Sequence, residues 1–240
     1  MPTFPTRDNQ ELHYKELGEG RPLVLLHGYL GSAEQWLEHG HAEQLAAEHR
    51  VILPDLRAHG ENPRPHAPSA YPPDALVDDG FALIDHLGLA DYNLGGYSLG
   101  ARVVARMLAK GAKPAKAIVA GQGLKAVNGT YHGANRRILT AILSGKPLDP
   151  ADEEQAHWFR LSGNDPTAML NVLNTLVPTP DKALAQIETP TLVAIGTEDQ
   201  AHASAPELAQ ALPNGHFTQI PGNHFTAMTN LAPAITAFLA

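Results

Sequence analysis

The chain has 240 residues, a formal net charge of −8 and no cysteine. That length admits one large domain or two small ones. Scattered acidic residues offer no basic surface for nucleic acid, and the missing thiols exclude a disulfide framework, a thiolate metal site and a cysteine nucleophile. No thiol also means no bias toward either redox compartment.

Met1 to Gln10 has no apolar stretch of the signal-peptide kind. No apolar run approaches the roughly 20 residues needed to cross a bilayer. The expectation is a soluble, cytoplasmic protein without membrane or nucleic-acid partners.

The chain alternates apolar runs with helical patterns. Pro22–His27 is a continuous apolar run that stops at Gly28, as a strand buried on both faces does. A helix is predicted from about Ala33 to Ala47, then a second buried strand over Arg50–Pro54. Asp74 to Leu87 is amphipathic, with Leu76, Phe81, Leu83, Ile84 and Leu87 available for one face. Tyr92–Gly95 reads as a strand, Leu99–Lys110 as a helix and Ala117–Ala120 as a strand. Near the C-terminus come strand Thr191–Ile195, helix Ala205–Ala211, strand Phe217–Ile220 and helix Thr226–Leu239. Such alternation argues for an α/β class protein: a mostly parallel central sheet with helices on both faces.

Gly123 to Ile187 breaks this rhythm. Arg136–Leu143, Glu153–Leu161 and Pro166–Leu176 have helical periodicity, and prolines at 147, 150, 166, 178 and 180 punctuate them. The segment reads as a small helical cap, residues 124–186, inserted into a single domain.

The strongest local signal is Gly96-Tyr97-Ser98-Leu99-Gly100, between a predicted strand and a predicted helix. That context suits a nucleophile elbow, a sharp turn that presents a serine at a helix N-terminus. With it go His27-Gly28-Tyr29, Asp55-Leu56-Arg57-Ala58-His59-Gly60, Gly196-Thr-Glu-Asp199 and Gly222-Asn-His224-Phe225, each at a strand end. Together these motifs resemble the α/β-hydrolase family over nearly the whole chain. The resemblance implies a nucleophile–acid–histidine order, which Ser98, Asp199 and His224 obey.

Serine needs a base, and histidine suits that work near neutral pH. His224 follows the last strand. His27 and His59 also sit at strand ends, where the resemblance implies that they brace loops; Arg57 has a structural role by the same resemblance. Asp199 is the expected acid, with adjacent Glu198 as its rival. The oxyanion would be held by two backbone amides: that of Leu99, after the nucleophile, and by resemblance that of Tyr29.

Trp158, Phe159, Leu161, Met169, Leu170 and Leu173 of the cap are the expected substrate-binding residues, which suggests a mainly apolar substrate. No cofactor is required. His39-Gly-His41 is set aside as a metal pair, and Arg136 and Arg137 as a solvated helix face. The expected activity is hydrolysis of a small-molecule carboxylic ester through an acyl-enzyme. A lactonase, a cofactor-free perhydrolase, a carbon–carbon bond hydrolase and a slow small-molecule receptor share the same three residues. The oligomeric state is not legible.

Overall fold

The apolar runs become the strands of one eight-stranded sheet in the computed structural model, which describes residues 1–129 and 133–240, the side chain of His39 excepted. The strands are β1 (Thr3–Pro5), β2 (Glu11–Leu17), β3 (Arg21–Leu26), β4 (His49–Pro54), β5 (Asn93–Tyr97), β6 (Ala117–Ala120), β7 (Thr191–Gly196) and β8 (Gly215–Ile220). Their order is β1-β2-β4-β3-β5-β6-β7-β8. From β4 to β8 every pairing is parallel; β1 with β2 and β2 with β4 are antiparallel.

Alternation along β3 divides the core between two faces. Val24 and Leu26 join one apolar cluster with Leu83, Val104 and Leu208, while Leu23 and Leu25 join the other with Trp36, Leu45 and Ile235. Burial on both faces explains why the inner strands read as unbroken apolar runs.

The N-terminal hairpin has no counterpart among the predicted elements. β2 buries only Leu12 and Tyr14 between polar neighbours, a pattern too sparse to stand out. The predicted helix over Ala33–Ala47 is interrupted. Helices Glu34–Leu37 and His41–Ala46 flank a 3-10 turn in which Gly40 takes a left-handed φ of 75°. The last helix likewise begins as a 3-10 turn, Ala227–Asn230, before Leu231–Leu239.

Between β6 and β7 lie helices Leu124–Val127, Asn135–Ser144, Glu153–Leu161, Pro166–Asn174 and Asp181–Leu184. Asn135–Ser144 packs on Pro166–Asn174, and Arg137 pairs with Asp152 at 2.6 Å while Arg136 reaches Asn174 at 2.9 Å. The loop after β4 is fixed by Arg57, whose buried guanidinium takes both oxygens of Asp79 at 2.7 and 2.9 Å and both of Asp8 at 2.7 and 2.8 Å. Among the described residues no helix is long and apolar enough to cross a membrane.

Candidate active site

The chain runs outward from β3 to β4 and then returns to β5 on the other side of β3. The loops leaving β3 and β5 therefore diverge and leave a crevice at the strand ends, where ligands bind in open α/β sheets. Ser98 sits at this point, after β5, with φ 53° and ψ −108°. Such a conformation strains a residue bearing a side chain. Two glycines make the turn possible: a Cβ on Gly96 would lie 2.4 Å from the Gly100 carbonyl carbon, and one on Gly100 would lie 2.3 Å from the Leu26 oxygen.

Three loops bring Ser98, His224 and Asp199 together, after β5, β8 and β7. Ser98 Oγ is 3.0 Å from His224 Nε2, and His224 Nδ1 is 2.7 Å from Asp199 Oδ2. An ionised carboxylate only accepts, so Nδ1 carries the proton and Nε2 is free to accept from the serine hydroxyl. Burial acts to raise the Asp199 carboxyl. Hydrogen bonds from His202 and His224 overcome it and hold Asp199 well below the usual carboxylate range. Glu198 is exposed and takes no part.

Gly28 faces the serine across the crevice, where a Cβ would lie 3.6 Å from that of Ser98, and Tyr29 follows it in the lining of the same cavity. Among the described residues, neither the Tyr29 nor the Leu99 N–H has a hydrogen-bond partner. His27 and His59 brace this loop. His27 Nε2 accepts from the Leu56 N–H at 2.9 Å, so its Nδ1 donates to the Gly28 carbonyl at 2.8 Å. His59 lies 2.8 Å from the Tyr29 carbonyl. Burial keeps the imidazoles of His27 and His59 below the ordinary histidine range, His27 far below it.

Ser98 and His224 open onto a cavity of about 570 Å³ whose lining differs from the expected one. Trp158 and Leu161 border it, as does Phe225; all three are largely exposed, at 49, 63 and 61%. Phe159, Met169, Leu170 and Leu173 do not. Phe159 and Met169 are buried in the core, and Leu170 and Leu173 pack against it. These four lie on the inward side of their helices, the side that an amphipathic helix turns toward an apolar cluster. Gln35, Asn135, Gln155 and Asn164, each half-buried, line the cavity instead.

A sequence profile described as the alpha/beta hydrolase fold matches residues 21–160. The chain belongs to the α/β-hydrolase fold family. It is 28% identical to (E)-2-((N-methylformamido)methylene)succinate hydrolase of Acinetobacter baylyi, over 95% of this chain and 92% of that protein. It is 36% identical to the dihydrolipoyllysine-residue acetyltransferase component of the acetoin cleaving system of Pseudomonas putida, over 64% of this chain and 45% of that protein. The match thus spans less than half the length of that relative. Esterase RhEst1 from Rhodococcus sp. ECU1013 superposes with a TM-score of 0.78 at 25% identity, covering 99% of this chain and 98% of that one.

Within this α/β-hydrolase frame three contacts are absent from the motif reading. Tyr97, inside the elbow, donates its hydroxyl to the His224 carbonyl at 2.5 Å and so buttresses the histidine loop. Gln35 Oε1 accepts from the Gly28 N–H at 2.7 Å. His202 donates to Asp199 Oδ1, the carboxylate oxygen that His224 leaves free. Only the short spacing of Asp199 and His202 could have signalled it. Among the described residues, Asp199, His202 and His224 are also the one group with ligand atoms close enough, within 4.8 Å, to hold a metal. The His39–His41 pair includes a side chain outside the described residues.

Proposed function

We propose that the chain hydrolyses small carboxylic esters, with Ser98 as nucleophile, His224 as general base and then acid, and Asp199 orienting His224. The relay Ser98–His224–Asp199, at 3.0 and 2.7 Å and open to a cavity, carries this reading.

Ser98 Oγ attacks the ester carbonyl as His224 Nε2 takes its proton. The N–H groups of Tyr29 and Leu99 receive the oxyanion. Collapse of the tetrahedral adduct expels the alcohol, which takes the proton from His224. Water then gives a proton to His224 and adds to the acyl carbon; release of the acid returns that proton to Ser98. The buried Asp199 carboxylate stabilises the imidazolium in both halves. A lactone would follow the same steps.

The lining supports a substrate of mixed polarity. Carboxamides of Gln35, Asn135, Gln155 and Asn164 offer donors and acceptors inside, and Trp158, Leu161 and Phe225 offer apolar surface at the rim. This replaces the expectation of a mainly apolar substrate, because four of the six residues behind it face the core.

Turnover of p-nitrophenyl esters tests the reading. Sustained turnover that Ser98→Ala abolishes supports a hydrolase. A single stoichiometric burst contradicts it and points to a receptor.

A further inference from the structure

Asp199 has two carboxylate oxygens, and each is held by a different histidine. Oδ2 takes His224 Nδ1 at 2.7 Å, and Oδ1 takes His202 Nδ1 at 2.9 Å. The Asp199 side chain is 1% exposed and that of His202 11%. The two imidazoles stack, with centroids 4.6 Å apart and planes 24° from parallel. Asp199 precedes the 3-10 turn Gln200–His202, yet among the described residues no backbone N–H caps its carboxylate. In this buried site His202 takes the place of such a cap.

We infer that His202 is a positioning residue, fixing the second oxygen of Asp199 so that the first stays aimed at His224. The inference rests on the serine hydrolase reading above. A carboxylate held through one oxygen can swing about its Cβ–Cγ bond. Held through both it cannot, and the imidazole it orients stays in line with Ser98.

His202 is itself held in place. Ser204, two residues on, accepts from the Leu124 N–H through its carbonyl at 3.0 Å and from the Lys125 N–H through its hydroxyl at 3.2 Å. Those amides begin the cap, so the cap's root helps to set this second contact. Among the described residues, His202 and His224 are the titratable groups that lower Asp199; burial, and then the charge of Asp199, push the Tyr97 hydroxyl up.

His202→Leu removes the donor at similar size, and His202→Asn restores an N–H at nearly the same place. Hydrogen bonds to charged groups are the strong ones. His202→Leu should therefore lower kcat roughly 10- to 100-fold, with KM little changed. Without the competing donor the charge of Asp199 bears wholly on the His224 imidazolium, so the acid-side limb of kcat should move to higher pH. His202→Asn should recover most of both losses. Wild-type kcat and pH profile in His202→Leu, or equal loss in His202→Asn, would overturn the inference.

Nitrogen-15 spectra of histidine-labelled parent protein give a readout independent of folding in the variants and of turnover. Both His202 and His224 should carry a proton at Nδ1. A neutral His202 protonated only at Nε2 would overturn the proposal whatever the variants do. Ser98→Ala, assayed alongside, separates the two claims. Full activity there removes the hydrolase reading; loss there with an unimpaired His202→Leu removes only the role of His202.

Discussion

The hydroxyl of Tyr29 donates to the main-chain carbonyl of Met169 at 2.7 Å. Tyr29 lines the same cavity as Ser98, and Met169 belongs to the cap helix Pro166–Asn174. A second tie runs beside it, from Asn164 Nδ2 to the Leu30 carbonyl at 3.1 Å. The cap therefore does more than border the cavity. It holds the loop from which the oxyanion would draw one of its two N–H groups.

Tyr29→Phe keeps the ring and removes the donor. A single neutral hydrogen bond contributes about 1 kcal/mol, so kcat should fall about 5-fold as the amide loses its fixed position. Asn164→Ala should act in the same direction, and the pair should be non-additive because both tie one loop. Steady-state kinetics of the two single variants and the double variant check this; independent, purely additive effects would contradict it.

Asp199 and Glu198 are adjacent, and only Asp199 reaches His224. Asp199→Asn should misplace the proton on His224 and cost roughly 10⁴ in kcat, by analogy with the serine protease triad. Glu198→Gln should be mild. Comparison of kcat for the two variants decides between them.

The cap residues divide by what they touch. Met169 is fully buried, so Met169→Ala should cost about 2–5 kcal/mol in unfolding free energy and leave acyl-chain preference unchanged. Trp158→Ala and Leu161→Ala remove exposed rim surface. They should leave stability nearly intact and shift kcat/KM between short and long acyl chains by about 10-fold. Urea unfolding and a chain-length series measure the two effects separately.

Inner strands were legible because burial on both faces makes them continuous apolar runs, as in Thr191–Ile195. The β2 hairpin was not, since Leu12 and Tyr14 alone carry its buried face. Ser98, His224 and Asp199 could be singled out because each ends a strand beside glycines that the turn geometry needs. The substrate-facing side of the cap could not, because periodicity shows that a helix has an apolar face and not which way it points. Phe159 and Trp158 are neighbours in sequence, yet one enters the core and the other the cavity rim. His202 carries no signal beyond its short spacing from Asp199, because its contact depends on which carboxylate oxygen is left free.

Asp199 also links stability to pH. Its folded carboxyl lies well below the usual range, despite burial, because two imidazoles donate to it. A depressed carboxyl stabilises the fold above the unfolded value of about 3.9 and loses that contribution as pH falls below it. Urea midpoints measured from pH 6 down to pH 3 should therefore fall for the parent, and fall less steeply for Asp199→Asn. Equal slopes would contradict the assignment of that carboxylate as a buried, hydrogen-bonded anion.

Covalent acylation of Ser98 is the step on which the proposed reaction turns. Its most direct test is peptide mass spectrometry after reaction with a fluorophosphonate and, separately, after rapid acid quench during turnover of a p-nitrophenyl ester. One adduct of each kind is expected, both on the peptide carrying Ser98, and neither in Ser98→Ala. An adduct on another residue, or undiminished ester turnover by Ser98→Ala, would contradict it.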